Sequence, residues 1–245
     1  MPKYKITIEY DGTGISGWQR QANSSSIQQF IEEAIEKFSK EKVTVHAAGR
    51  TDAGVHALGQ VAHFKLTHEY PCSVVQRAIN HFLKPNKIVV FDCHIVDDEF
   101  NARFSAKKRN YKYVVLNRFS PSVIDENRAW HIRHRLDIVK MQEAATFLIG
   151  NYDFTSFRAA HCQAQSPIKT IDGINIYQEE EKIYFTLRAS SFLHHMVRNI
   201  VGSLVLVGMG KWEPEEMKKI IEAKDRTKAG PKAPAHGLYF TKVEY

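Results

Sequence analysis

Residues 3–10 read Lys-Tyr-Lys-Ile-Thr-Ile-Glu-Tyr. Tyr4, Ile6, Ile8 and Tyr10 alternate with polar neighbours at period two, which predicts a half-buried strand. Downstream, Ile27, Phe30, Ile31, Ala34, Ile35 and Phe38 recur at helical spacing. Ser25 with Gln28, or Ser26 with Gln29, supplies a capping box to start that helix. Val43 to Ala47 and Gln60 to Leu66 read as two further strands. Val74, Ala78, Ile79, Phe82 and Leu83 mark a second helix, closed by Lys84-Pro85-Asn86, and Ile88 to Ile95 is an apolar strand. Strand, helix, strand, strand, helix, strand is the split βαβ order of a ferredoxin-like α+β sandwich.

The second half repeats that logic. Tyr111 to Asn117 reads as a strand. Asp137 is placed to cap a helix carrying Ile138, Met141, Ala145 and Leu148, stopped by Gly150-Asn151. Strands follow near 169–178 and 182–190. A helix with Leu193, Met196, Val197, Ile200, Val201, Leu204 and Val205 comes next, then a short one from Pro214 to Lys224 and a closing strand from Leu238 to Tyr245. The expected fold is two ferredoxin-like domains, 1–100 and 101–245, with the boundary in Asp97–Ser105. Together they form a largely antiparallel sheet with helices on one face and an active-site cleft on the other.

With 245 residues, 43% hydrophobic and 25% charged, the chain has the profile of a globular protein with a real core. The N-terminus carries no signal-like apolar stretch, and the most apolar run, Ile200 to Gly210, is too short to cross a bilayer. The expectation is a cytoplasmic protein with no membrane partner. Cys72, Cys93 and Cys162 lack C-x-x-C spacing, so they suggest reduced, semi-buried residues rather than a zinc site or a disulfide framework. Net charge is +7, and its distribution points to an anionic partner. Arg103 to Arg118 and Lys182 to Trp212 contain no acid, and Arg128, His131, Arg133, His134 and Arg135 cluster. Such stretches suit a phosphate backbone.

Chemistry concentrates in Ala48-Gly49-Arg50-Thr51-Asp52-Ala53-Gly54-Val55-His56-Ala57-Leu58-Gly59. Read as a loop between two strands, it is longer than a hairpin requires, and such loops are often functional. Asp52 is the only acid between Glu41 and Glu69. It reads either as a turn aspartate bonding its own backbone or as a carboxylate set apart for reaction. Arg198 lies on a helix that is apolar on most of its circumference, with His194 and Gly202 one turn away on either side. A buried arginine needs a counter-charge. Pairing with Asp52 would meet that need and keep Asp52 ionised, as nucleophilic catalysis requires; contact with a phosphate is the other option.

At this point the sequence resembles the TruA-type transfer-RNA pseudouridine synthases. Gly49-Arg50-Thr51-Asp52-Ala53-Gly54-Val55-His56-Ala57 looks like the family signature. Further matching segments run in order along nearly the whole chain. They are Tyr10 to Thr13 with Gly17-Trp18-Gln19, Ala102 to Ala106, Arg109 with Tyr111-Lys112-Tyr113, Asp153 to Arg158, His194 to Asn199, and Lys224-Asp225-Arg226. Departures are small: Asn101 and Tyr152 stand where histidine is common. The resemblance implies Asp52 as nucleophile, Arg198 as its ion-pair partner, Tyr111 stacked on the target uracil, and Arg50 holding the flipped nucleotide. Arg109, Lys108 and His194 complete the expected RNA-facing set. It also implies a homodimer acting on uridines 38 to 40 of the anticodon stem-loop of transfer RNA.

The reaction breaks the uracil–ribose bond at nitrogen, turns the base and rejoins it through carbon five. It has no redox change, so no cofactor or metal is expected. A carboxylate can attack ribose C1′, assist base departure, or add to uracil C6, and all three remain open. Competing readings are weaker. Gly12-Thr13-Gly14-Ile15-Ser16-Gly17 matches G-x-G-x-x-G, but Trp18 to Asn23 intervene before any helix, so a tight turn is expected. His194-His195, read as adjacent helix residues, cannot face one metal. His161-Cys162 lacks an orienting third group for thiol catalysis. A plain RNA-binding module of the RRM sort lacks its aromatic strand motif here. An RNA N-glycosylase is the nearest enzymatic rival.

Overall fold

In the computed structural model, which describes residues 1–160 and 162–245, the leading strand β1 (Lys3–Tyr10) buries Tyr4, Ile6 and Ile8 completely, as its alternation requires. Helix α1 (Ile27–Ser39) starts at Ser26, whose hydroxyl accepts from the Gln29 amide at 3.3 Å. The Gln29 side chain turns instead to Glu33, at 2.9 Å, so one half of the capping box is made. Next come β2 (His46–Ala47), β3 (His56–Lys65), α2 (Cys72–Leu83) and β4 (Ile88–Val96). Strand β2 is shorter than the expected Val43–Ala47, and β3 starts four residues before the expected Gln60. The reactive loop therefore spans only 48–55.

By its contacts the chain divides into two units, Met1–Lys107 with Tyr239–Tyr245, and Lys108–Leu238. In the first, β1 lies between β3 and β4, antiparallel to both. The far edge of β3 carries β2, antiparallel at His63 and Ala62. The same edge carries β10 (Leu238–Glu244), parallel at His56 and Ala57. The order β4-β1-β3-β2 is the split βαβ arrangement that the element order implies. Ile27, Ile31 and Ile35 of α1 and Val75 and Ile79 of α2 are wholly buried. They form the core with the inward residues of β1 and with Phe64. One near-core group titrates abnormally. His63, buried and close to His46 and Lys3, has its pKa lowered to about 4, and its Nδ1 accepts the Ala102 amide at 3.1 Å.

The second unit begins with β5 (Lys108–Asn117), followed by β6 (Trp130–Ile132), α3 (Ile138–Thr146), β7 (Gly150–Asp153), β8 (Ile168–Glu179), β9 (Lys182–Ala189), α4 (Met196–Gly208) and α5 (Glu216–Ala223). Asp137 caps α3 as expected, accepting from the Lys140 amide at 3.0 Å. The helix stops at Thr146, well before Gly150. Strand β9 sits between β5 and β8, antiparallel to each, so here the last long strand lies between the earlier two, whereas in the first unit the central strand is the first. Short strands β6 and β7, neither anticipated, extend this unit's edges. All of α4 except Leu206 is buried, which suits a helix apolar all round. Among the described residues no helix is long and apolar enough to cross a membrane.

Candidate active site

Where β1 ends, the chain runs through Gly12 to Gly17 and lies directly against the loop bearing Asp52. The Trp18 amide donates to the Thr51 carbonyl at 3.0 Å, and the Gly54 amide donates to the Ile15 carbonyl at 3.3 Å. At Gly17, φ is +88° and an added Cβ would sit 2.4 Å from the Thr51 carbonyl oxygen; at Gly12 it would sit 2.2 Å from that of Val55. The glycines are therefore required by close backbone approach. A turn was expected in this stretch. What it does is clamp the reactive loop.

The loop is also tied from within and below. The Val55 amide donates to the Asp52 carbonyl at 3.1 Å, closing a turn whose third residue, Gly54, has φ +77°. The hydroxyls of Tyr10 and Thr51 lie 2.7 Å apart, both buried. Burial raises the Tyr10 pKa to about 12 despite hydrogen bonds from Thr51 and Gln60, so this phenol stays neutral. The Gln60 amide nitrogen donates to the Gly49 carbonyl at 2.7 Å. His56, now part of β3, accepts the Gly12 amide at 3.1 Å, and its ring stacks on Tyr239 at 4.8 Å. Asp52 is thus half-exposed on a loop that is held from several sides and buries Thr51 and Val55. Arg50 is exposed on the same loop.

The second unit holds the other singled-out residues. Arg198 is 8% exposed, near the start of α4. Its Nε donates to the Ala233 carbonyl at 2.8 Å, and the Ala233 amide returns a bond to the Arg198 carbonyl at 3.1 Å. This reciprocal pair fastens the 229–234 segment across α4. Gly202 permits the crossing, because a Cβ there would lie 1.8 Å from the Pro231 carbonyl oxygen. The Tyr113 hydroxyl donates to the Pro234 carbonyl at 2.7 Å. Burial raises the Tyr113 pKa, while the Arg198 charge acts in the opposite direction.

Tyr111 lies on β5 with its ring edge-on to Phe192, centroids 5.1 Å apart and planes at 88°. Phe192 was not singled out in the sequence; its only signal was an aromatic residue just before the His194-His195 pair. Arg109 donates to the Ser190 carbonyl at 2.6 Å. Lys108 bonds the Asp172 carboxylate at 2.6 Å, and Arg188 lies 3.7 Å from the same carboxylate. Arg118 pairs with Glu181 at 2.7 Å. Stretches without acid in the sequence thus meet acids supplied by β8 and by the turn that follows it.

His194 and His195 precede α4 rather than lying on it. His195 has φ +65°, and the two rings sit 3.9 Å apart, which overturns their placement on separate helical faces. Cys162 accepts the His194 amide at 3.4 Å. Burial alone would raise this thiol's pKa, but bonds from the Ala164 and His194 amides and from Arg158 bring it below the ordinary value. Of the His161-Cys162 pair, discounted above as a thiol nucleophile, His161 lies outside the described residues. Cys93 and Cys72, distant in sequence, adjoin in space: burial first, then the neighbouring Cys72 thiol, pushes Cys93 up to about 12.

Comparison with known proteins bears on this arrangement. The family model described as tRNA pseudouridine synthase matches residues 6–105 and 144–245. The tRNA pseudouridine synthase A of Ehrlichia canis (strain Jake) is 56% identical over 244 residues, covering 99% of this chain and 100% of that protein. That of Paramagnetospirillum magneticum is 50% identical over 245 residues, covering 100% and 96% respectively. Among solved structures, a chain of a Cbf5–Nop10–Gar1 complex aligns at 10% identity with a TM-score of 0.39. This protein spans 48% of that chain's length.

Proposed function

This chain belongs to the tRNA pseudouridine synthase family, and from that premise we propose that it isomerises uridine to pseudouridine in the anticodon stem-loop of transfer RNA, at positions 38 to 40, with Asp52 as the reacting carboxylate. The observation that carries the assignment of Asp52 is its loop. The residue sits half-exposed beside buried Thr51, while its backbone is clamped by the glycine stretch and the Tyr10–Thr51 contact. Such bracing holds a reacting group in place, and fixed geometry is a large part of any enzymatic rate enhancement.

The other roles follow from chemistry. Arg198 brings a buried positive charge whose orientation is set by its bond to Ala233. A carboxylate beside it would be kept ionised and ready to attack. Tyr111 offers an aromatic face to the extruded uracil, where stacking contributes about 1–3 kcal/mol per base. Extrusion itself costs a few kcal/mol or so, and Arg50, Arg109, Lys108 and His194 supply contacts to offset it. The proposal extends to a homodimer, as the resemblance implies, and to a location in the cytoplasm.

The test is direct. Wild-type protein is incubated with uridine-labelled transfer RNA, which is then digested and analysed. Pseudouridine at positions 38 to 40, abolished in Asp52→Ala with RNA binding retained, is the expected result. Free uracil would mark a glycosylase instead, and tightly bound but unaltered RNA would leave a binding module.

A further inference from the structure

A cavity of about 250 Å³ opens in the second unit, lined by His194, His195, Asn199, Arg226 and Lys232 together with Ala159 and Ala160. It is smaller than the roughly 300–1,000 Å³ of pockets that enclose a whole small molecule, so it suits one chemical group. No Asp or Glu is among the described residues that line it. Two cationic side chains reach it from the segment following α5, and two imidazoles reach it from the stretch preceding α4.

The arginine is held in place rather than left to wander. Arg226 Nη2 donates to the Asn199 side-chain oxygen at 3.1 Å, and Nη1 donates to the carbonyls of Ala229 and Gly230 at 3.2 and 3.1 Å. Asn199 is 1% exposed, and its amide nitrogen is anchored on the Phe157 carbonyl at 2.8 Å. This chain of bonds fixes the guanidinium before any ligand arrives, so little ordering entropy remains to be lost on binding. Lys232 is exposed and adds a second charge. Asn199 also lies in the first turn of α4, where the helix end carries partial positive charge, and His195 is the residue that precedes that turn.

We propose that this cavity is a phosphate subsite, in which Arg226 and Lys232 grip one phosphodiester of the RNA beside the uridine being modified. The inference rests on the functional reading above and deepens it. Asn199 follows Arg198 directly in sequence, so the subsite and the proposed catalytic arginine share one helical turn. A backbone phosphate seated there would set the register of the strand, and hence which nucleotide is presented for extrusion. Phosphate contacts position a nucleic acid without reading its bases.

The test is a binding cycle with transfer RNA carrying one uncharged methylphosphonate linkage, moved stepwise through the nucleotides that flank the modified uridine. At one linkage, removing the charge weakens wild-type binding about tenfold, the effect of a charge-assisted hydrogen bond. Lys232→Ala, an exposed substitution whose folding is checked by melting, lowers affinity for normal RNA and then shows little further loss at that linkage. Arg226→Gln behaves in the same way. Additive losses at every linkage, or no sensitive linkage, would overturn the subsite. Pseudouridine formation by the wild type on unmodified RNA is scored separately. Its absence sinks the functional reading, whereas its presence with an additive cycle sinks only the subsite.

Discussion

Replacing Gly17 with alanine should damage catalysis as well as stability, and two neighbouring glycines provide the controls. At Gly17 the new Cβ would lie 2.4 Å from the Thr51 carbonyl oxygen, where ordinary contact begins at 3.4 Å. The Asp52 loop must therefore retreat by about 1 Å, and misplacement of that size can cost roughly 10²-fold in rate. The backbone there has φ +88°, which adds about 1–2 kcal/mol of strain for an L residue. Gly14 has φ +75° with nothing within 4 Å of its would-be Cβ, so Gly14→Ala carries the strain without the clash. Gly12→Ala carries the clash alone, at 2.2 Å from the Val55 carbonyl oxygen. Single-turnover pseudouridine formation, equilibrium RNA binding and urea melts separate these effects. Gly17→Ala and Gly12→Ala should lose about 10²-fold in rate with RNA affinity kept, while Gly14→Ala melts earlier and reacts nearly as wild type. If Gly14→Ala and Gly17→Ala lose rate equally, the glycine stretch does not position Asp52.

Arg198→Met keeps most of the side-chain bulk and removes the charge. Turnover should fall by about 10²–10³-fold, while circular dichroism still reports a folded protein; near-normal turnover would exclude the proposed ion pair. His63 carries a folded-state pKa of about 4 against an ordinary 6.5, and protonation removes the lone pair that accepts the Ala102 amide. Its contribution is complete above pH 6.5 and is lost as pH falls toward 4, at up to about 1.4 kcal/mol per pH unit. His63→Gln should flatten that part of the stability–pH curve, and an unchanged slope would assign the acid sensitivity to another group. Arg109→Ala and Lys108→Ala should each weaken RNA binding most at low salt and lower the salt slope by about 1. An effect independent of salt would point to a role other than phosphate contact.

Much of this fold is visible one segment at a time. The alternation of Tyr4, Ile6, Ile8 and Tyr10, the Ser26 cap and the Asp137 cap are local signals, because strands and helices impose their periods on neighbouring residues. Asp52 stood out for an equally local reason, as a single acid in a long acid-free stretch. The boundaries of the reactive loop were less legible. His56 to Gly59 contain two glycine or histidine positions that look irregular in sequence, yet pairing with β1 and β10 makes them strand.

Sequence alone determined the order and type of the long elements and the family to which they belong, since period and motif are carried by adjacent residues. Only the tertiary structure decided that Gly12 and Gly17 press on the Asp52 loop, that β10 runs parallel to β3 in the first unit, and that Asp172 and Glu181 meet Lys108 and Arg118. Those contacts join residues far apart in the chain. No local repeat records them, because their geometry exists only after the backbone has folded back on itself.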